Sequence, residues 1–465
     1  MSSSGRRRWT RLPALLALLV LPGCSVVVVG QGSPAQPPVT DVGGGDLVVV
    51  GATDEPVDVL ARNALADLEV YWADQFPEVF GTEWTPLGGG YFSVDPGNVD
   101  PGVYPEGIGC GSDPSEVEDN AFYCLDESAP HSDSISYDRT FLAELGEEFG
   151  RFIPALVMAH EFGHAVQARV GEPGPSILVE TQADCLAGTW TRWVADGEAE
   201  HSTLRTPELD ELLRGYLLLR DPVGTGLNVG QAHGSYFDRV SAFQQGFDDG
   251  PTACRDAFGP DRPYTQGEFS DADIATGGDA PYDQTVGQFA PDGLGEYFQA
   301  AFDQLGEDFT APTLEPFAGQ APACASDRPD TDLVYCPADQ TVRYDETDLT
   351  QPLYSSEEGG DYAVLTALAI PYGLALRDQL GLSTDDQDAI RSAVCLAGAF
   401  TAGVLNRQSK VLSISPGDAD ESVSFLLEYS DDPQVLAESG LTGFQLVDVF
   451  RGGVFEGLSA CDIGA

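Results

Sequence analysis

The chain has 465 residues, enough for two or three domains, and its 42% hydrophobic content is that of a globular protein. Its 75 acidic residues against 22 basic ones give a formal net charge of −53 at pH 7. This balance excludes nucleic acid as a partner, because phosphate binding needs clustered Lys and Arg, and it disfavours anionic membrane surfaces and acidic substrates. The simplest interpretation of the carboxylates is a solvated coat suited to high salt, rather than a dedicated cation-binding surface.

The N-terminus has the pattern of a targeting segment. Four arginines precede an apolar stretch, Leu12–Leu21, which is too short to span a bilayer as a helix. The following Pro-Gly-Cys resembles the end of a bacterial lipobox, in which Cys24 becomes the lipidated first residue. We therefore predict a lipoprotein signal peptide over residues 1–23, a flexible tether over 24–45, and a chain anchored to the cell membrane in an extracytoplasmic, oxidising compartment. The alternative is an ordinary signal peptide with an incidental cysteine.

Periodicity predicts a strand and three helices in the middle of the first half. Ser134–Tyr137 alternates polar and apolar residues, which is typical of a short strand. Helices are predicted over Arg139–Phe149, Phe152–Val170 and about Leu178–Val194, where apolar residues recur with helical spacing.

The segment His160–His164 reads His-Glu-Phe-Gly-His and falls on the second of these helices. Residues four apart lie on one face of a helix, so the imidazoles of His160 and His164 can reach one metal ion. Zn²⁺ fits this use, and Glu161 is placed to take a proton from water at the metal. The alternative, two core histidines, leaves Glu161 unexplained on a buried face.

A catalytic zinc needs a third protein ligand, and the next helix offers one. Glu180 is the predicted ligand, and Asp184, one turn later, is predicted to orient a ligand histidine; the alternative is two exposed carboxylates in an acidic protein. His233 follows a glycine-rich stretch and is predicted either to stabilise an oxyanion or to serve in a loop or cap. His131 and His201 lie among polar residues and are predicted to be exposed, with His201 as the reserve third ligand.

Beyond about residue 283 the chain repeats its first half in order. Cys185–Gly188 recurs as Cys395–Gly398, and the Phe, Gly, Gly and Cys at 243, 246, 250 and 254 align without gaps to those at 450, 453, 457 and 461. The repeat divides eight cysteines into two quartets, with cross-pairing inside each quartet left open. The simplest pairing predicted for both halves is Cys110–Cys124, Cys185–Cys254, Cys324–Cys336 and Cys395–Cys461.

Five segments of the first half together resemble the bacterial neutral zinc metallopeptidases. They are Asn120–Cys124, Tyr137–Asp138, His160–Gln167, Glu180–Gly188 and His233–Phe247. The resemblance runs from about residue 60 to 256 and returns weakly in the second half.

The resemblance to these metallopeptidases implies an α+β, zincin-like fold in which His160, His164 and Glu180 bind zinc and Glu161 is the catalytic base. By analogy with other zincins, the strand near Ser134 is expected to hold an extended peptide by edge pairing. Asp238 stands where the family usually has Gln, which leaves the roles of Asp238 and Arg239 open.

The second repeat lacks the chemistry. Aligning Gly163 with Gly373 places Ile370 opposite His160 and Leu374 opposite His164, and no histidine follows His233. The position of Glu161 is taken by Pro371, which is expected to kink its helix unless local structure relieves the strain. Ile390, Val394 and Gly440 stand opposite Glu180, Asp184 and His233.

These observations predict a zincin-like metallopeptidase domain duplicated in tandem, with residues 46–260 active, 261–283 a linker and 284–465 a degenerate, metal-free repeat. The expected function is a secreted, lipid-anchored zinc peptidase that hydrolyses peptide bonds of a peptide or protein substrate by a Glu-activated, zinc-bound water. The alternatives are a non-catalytic surface binding lipoprotein and a structural zinc site closed by a fourth protein ligand.

Overall fold

The computed structural model describes residues 46–464, except 112, 307, 321–323, 325–330 and 437–438. The predicted signal peptide, the tether and Cys24 lie outside the described residues. The chain is a mixed α and β protein, as predicted, with helices as its main component and two small sheets.

The first half opens with a long helix and a four-stranded sheet. α1, Pro56–Phe80, has proline in its first turn, where no backbone N–H is needed, and ends at Gly81 in the left-handed conformation with φ of 76°. The strands are β1 Val49–Val50, β2 Gly90–Val94, β3 Ala121–Cys124 and β4 Ser134–Asp138. Their order in the sheet is β1-β2-β4-β3, with β3 antiparallel to β4 and the other pairs parallel.

β4 lies in the interior of this sheet, between β2 and β3. The expectation that the strand near Ser134 holds a peptide at a free edge is therefore wrong. β3 is the edge strand on this side, and strand order of this kind depends on long-range pairing that local alternation does not encode.

Five helices follow the sheet, and the three predicted helices are confirmed to within a few residues. They are α2 Arg139–Phe149, α3 Ile153–Val170, α4 Ser176–Ala195, α5 Thr206–Leu219 and α6 Tyr236–Asp256. α3 and α4 approach closely at Gly163, where a Cβ atom would lie 2.9 Å from the Cα of Ala183. α4 and α6 approach at Gly188, where a side chain would overlap the carbonyl oxygen of Phe243.

Apart from β1, which has no counterpart among the described residues, the second half has helices and strands in the same order as the first. Its sheet has the order β5-β7-β6, with β5 parallel and β6 antiparallel to β7. The strands are β5 Thr313–Phe317, β6 Leu333–Cys336 and β7 Thr341–Asp345. The helices are α7 Tyr282–Gln284, which continues as wider turns over Thr285–Leu294, α8 Gly295–Leu305, α9 Gln351–Ser355, α10 Asp361–Gln379, α11 Gln387–Leu405, α12 Asp418–Glu428 and α13 Gly443–Glu456.

α10 runs through Pro371 as one continuous helix, so local structure accommodates the proline that was expected to kink it. α11 is long and apolar enough to cross a membrane, yet 78% of its apolar window is buried inside the protein, as in a core helix.

Four disulfides join the eight cysteines that the structure describes, and they are the four pairs predicted from the repeat. Cys185–Cys254 links α4 to the end of α6, and Cys395–Cys461 links α11 to the turn after α13. Disulfides of this number are typical of proteins that fold in an oxidising compartment outside the cytoplasm.

The two halves lie in one compact unit with a continuous hydrophobic core. Asp210 on α5 accepts hydrogen bonds from the backbone N–H groups of Gly443 and Phe444, at 3.0 and 2.7 Å, and so caps α13. The segment predicted as a linker packs on the first half, because the N–H groups of Thr265 and Gln266 donate to Asp238 at 2.8 and 3.0 Å.

Candidate metal centre

Two neighbouring helices bring three predicted ligands together. α3 carries His160 and His164 one turn apart, and α4 carries Glu180 opposite them. The two Nε2 atoms are 3.2 Å apart, and Oε2 of Glu180 lies 3.2 Å from Nε2 of His160 and 3.7 Å from that of His164. Ligands about 2.0–2.1 Å from one tetrahedral zinc ion are separated by roughly 3.3 Å, so this triangle has the size that zinc requires.

A buried ion pair between Asp184 of α4 and Arg239 of α6 orients the first histidine. Nδ1 of His160 lies 2.8 Å from Oδ1 of Asp184, and Arg239 donates two hydrogen bonds to that carboxylate, both at 2.8 Å. Asp184 and Arg239 are buried. Because an ionised carboxylate only accepts, Nδ1 of His160 carries a proton, and Nε2 is the nitrogen that can bind a metal once it has released its own proton. Arg239, whose role the sequence left open, therefore supports the predicted orienting role of Asp184.

A buried glutamine orients the second histidine, and the sequence analysis gave it no role of its own. The amide nitrogen of Gln167 donates to the carbonyl of Val179 and to Oε1 of Gln182, at 2.7 and 3.0 Å. Its Oε1 is therefore the atom that lies 2.9 Å from Nδ1 of His164, and it accepts a hydrogen bond from that nitrogen. The amide of Gln182 in turn donates to the carbonyl of Cys254, so the series ends at a disulfide.

The charges of the cluster favour a cation. Burial lowers the pKa of His160, but Asp184, Glu180 and Glu161 outweigh this and raise it to about 10. Burial alone would raise the pKa of Glu180. Hydrogen bonds from both histidines outweigh this effect and hold the pKa well below its usual range. The site thus stabilises positive charge where the three ligand atoms meet.

Glu161 is buried beside the triangle and next to the edge strand β3. Its Oε2 accepts a hydrogen bond of 2.8 Å from the backbone N–H of Tyr123. Burial raises the pKa of Glu161, and this outweighs the opposing effect of His160 and His164. A raised pKa suits a carboxylate that takes up and returns a proton near neutral pH.

These side chains line a cleft of about 790 Å³ that also includes β3 and His233. Nδ1 of His233 lies 3.1 Å from Oδ1 of Asp221, whose other oxygen accepts from the backbone N–H of His233 at 2.7 Å and from Nε2 of Gln266 at 3.0 Å. The imidazole is 47% exposed and faces the cleft. Asp221 was missed, because it lies twelve residues before His233 in an irregular loop.

The remaining histidines lie away from the cleft lining. His131 packs its ring against that of Phe92, with centroids 4.8 Å apart, and the backbone of His201 is hydrogen-bonded to Asn63 and Asp67 of α1. Both are half-buried, so the predicted exposure is wrong: packing on β2 and α1 covers them. His201 is not needed as a reserve ligand, because Glu180 is in place.

No protein-family model and no solved structure matches the chain. It is similar to the uncharacterized protein YpfJ of Escherichia coli (strain K12), with 31% identity over 173 residues, 32% of this chain and 58% of that protein. It is also similar to the uncharacterized protein Rv2575 of Mycobacterium tuberculosis (strain H37Rv), with 28% identity over 172 residues and the same shares. The chain thus spans 58% of the length of these curated relatives, and their names carry no activity to compare with the site.

Proposed function

We propose that the chain is a zinc-dependent metallopeptidase whose active site lies in residues 46–260. The observation that carries this proposal is the triangle formed by Nε2 of His160, Nε2 of His164 and Oε2 of Glu180, beside the buried carboxylate of Glu161. Among the described residues, the metal-ligating group at this place has three members and its open side faces the cleft. Three protein ligands with an open position are typical of catalytic rather than structural zinc.

A zinc ion bound there would act as a Lewis acid and lower the pKa of water to about 7. Tyr123 holds one oxygen of Glu161, which leaves the other free to accept a proton and later to donate it to the leaving amine. His233, oriented by Asp221, is placed to donate a hydrogen bond to an oxyanion at the cleft. β3 is the edge strand at the cleft. The N–H groups of Ala121 and Tyr123 already donate to Asn120 and Glu161, so an extended peptide would pair with the remaining backbone groups of this edge.

We interpret the second half as a degenerate copy of the same zincin-like domain, which serves in packing. This interpretation rests on the shared order of elements, the equivalent disulfides and the equivalent close contacts of helix glycines. We also propose that Cys24 anchors the chain to the outer face of the membrane as a lipoprotein, which fits the four disulfides.

Replacing Glu161 with Gln tests the enzyme against a metal-binding recognition protein. We expect Glu161→Gln to reduce the turnover of labelled casein by roughly 10²–10⁴-fold, because the general base is lost. Zinc content should stay unchanged, since Glu161 is not one of the three ligands. The control is Glu144→Gln, the same change at an exposed position of α2. Unchanged turnover in Glu161→Gln would show that Glu161 is not the base, whereas a zinc-loaded wild type that hydrolyses no casein would favour a recognition function.

A hydroxamate inhibitor separates a catalytic site from a closed structural one. The open position predicts stoichiometric binding of the inhibitor to the zinc-loaded chain, and none to the metal-free chain. A zinc-loaded chain that does not bind the inhibitor has a site closed by a fourth protein ligand.

A further inference from the structure

A second group of metal-ligating side chains lies far along the chain from the histidines and contains only carboxylates. It joins Asp279 of the connecting segment, Asp361 at the start of α10, and Glu421 on α12. One carboxylate oxygen from each residue lies within 4.8 Å of one from each of the others. Two oxygens bound on opposite sides of one Ca²⁺ ion, each at about 2.4 Å, are separated by roughly 4.8 Å, so one ion can contact all three.

An unpartnered oxygen points to a ligand at this place. The side chain of Asp361 is buried, with 8% relative exposure, and its Oδ2 accepts a 2.9 Å hydrogen bond from the backbone N–H of Ala280. Its Oδ1 is also buried and has no hydrogen-bond partner in the part of the chain that the structure describes. A buried carboxylate oxygen without a partner is costly, and a bound cation removes that cost.

Hydrogen bonds orient two further carboxylates, those of Glu421 and its neighbour Asp418. Oε2 of Glu421 accepts hydrogen bonds of 2.9 and 3.0 Å from the N–H groups of Tyr362 and Ala363, in the first turn of α10. Asp418, one turn before Glu421, is buried and its carboxylate accepts from the N–H and hydroxyl of Ser415. These hydrogen bonds fix the orientation of the carboxylates of Glu421 and Asp418.

Among the described residues, no basic side chain forms an ion pair with Asp279, Asp361 or Glu421. Arg220 lines the adjoining cavity of about 200 Å³ but is paired with Glu358 at 2.8 Å and with Asp420 at 3.3 Å. Burial and the carboxylates of Asp418, Asp361 and Asp279 raise the pKa of Glu421 well above its usual range. Burial likewise raises the pKa of Asp361 to about 6. The group repels itself unless a proton or a cation neutralises it.

We propose that Asp279, Asp361 and Glu421 form a binding site for a hard divalent cation, Ca²⁺, which fastens the connecting segment to the second half. An all-oxygen ligand set favours Ca²⁺ over zinc, and flexible coordination of six to eight oxygens tolerates carboxylates from three separate segments better than the strict octahedron of Mg²⁺. This site is independent of the zinc centre, because it shares no residue with it.

The test uses the full mature chain, loaded with one equivalent of zinc in metal-depleted buffer and then titrated with CaCl₂. We expect one equivalent of Ca²⁺ by equilibrium dialysis and a saturable rise of roughly a few degrees in Tm at about 100 times Kd. Because a chain of charge −53 is stabilised by any salt, NaCl and MgCl₂ at matched ionic strength serve as references and should give a smaller rise.

The decisive variants are Asp361→Asn and Glu421→Gln, with Glu428→Gln, an exposed position on the same helix, as the matched control. Without Ca²⁺ the two site variants should be at least as stable as the wild type, because each removes repulsion between carboxylates. With Ca²⁺ they should be less stable than the Ca²⁺-bound wild type, and they should bind Ca²⁺ at least tenfold more weakly. The control should follow the wild type. A wild-type chain that binds no stoichiometric Ca²⁺, or a Ca²⁺ response that is equal in site and control variants, would overturn the proposal.

Discussion

At Gly163 in the first half and at Gly373 in the second, a helix glycine lies against an alanine of the next helix, and a Cβ atom would come within 2.9 and 3.1 Å of that alanine's Cα. Gly188 and Gly398 meet the carbonyl oxygens of Phe243 and Phe450 in the same way. The packing of the two halves is thus equivalent at the helices that carry the candidate metal centre. Their chemistry differs at the polar positions of that centre.

The polar residues are absent from the second half together with their partners. Aligned on the shared glycines and phenylalanines, the buried pair Asp184 and Arg239 corresponds to Val394 and Leu446, both buried. His160 corresponds to Ile370, which is also buried. A single surviving member of such a pair would be a buried charge without a partner, which is more costly than either the pair or an apolar replacement. The comparison teaches that the fold needs the glycines and the apolar core but not the polar cluster, which agrees with our proposal that this cluster binds a metal.

The largest effect on stability is expected from breaking the buried ion pair. Arg239→Leu leaves Asp184 buried without its strongest partner and should lower the free energy of unfolding by about 3–5 kcal/mol. Asp184→Val with Arg239→Leu copies the second half and should recover most of that loss, but not zinc binding. Urea unfolding of the metal-free chain measures the stability of both variants. The control is Arg192→Leu, which breaks the exposed pair of Arg192 with Asp196 and should change stability by about 1 kcal/mol or less. A double variant no more stable than Arg239→Leu would contradict the comparison.

An effect on catalysis of similar or smaller size is expected at His233, for which the second half has Gly440. His233→Ala should reduce kcat by roughly 10²–10³-fold, or about 2.7–4 kcal/mol, if its imidazole stabilises an oxyanion. Zinc content should not change, because His233 is bonded to Asp221 rather than to the ligand triangle. His131→Ala, which lies outside the cleft lining, is the control. An unchanged kcat would assign His233 to the loop alone.

The smallest effect concerns pH and sharpens the assignment of metal binding to the first half. Asp184, Glu180 and Glu161 raise the pKa of His160 to about 10 against the opposing effect of burial, so below that pH the metal-free imidazole is protonated. Zinc must displace this proton. The affinity of the chain for zinc should therefore fall about tenfold for each unit by which the pH is lowered, or about 100-fold from pH 8 to pH 6. Calorimetry in buffers of different ionisation enthalpy should detect at least one proton released per zinc. Binding without proton release would mean that His160 is not a ligand.

Local patterns were sufficient for the helices and for the ligands that they carry. The apolar spacing and the motif His160–His164 predicted α3 to within one residue, and the one-turn spacing of Glu180 and Asp184 predicted their shared helix face. Because glycines and cysteines recur at fixed spacing, the repeat also predicted all four disulfides.

The parts that were missed depend on contacts between distant segments. Gln167 ends the segment His160–Gln167, but its role becomes visible only when the fold brings Val179 and Gln182 beside it. The order of strands, which makes β3 and not β4 the free edge, is likewise set by pairing across the chain. Asp221 has no spacing that links it to His233 before the loop between them is folded.

Zinc stoichiometry of the purified chain, measured by mass spectrometry of the metal, tests the central claim most directly. The wild type should hold one equivalent. His164→Ala, which removes one ligand of the triangle, should hold close to none, and Leu374→Ala, the same position in the second half, should still hold one. Two equivalents in the wild type, or one retained in His164→Ala, would contradict a single zinc centre built by His160, His164 and Glu180.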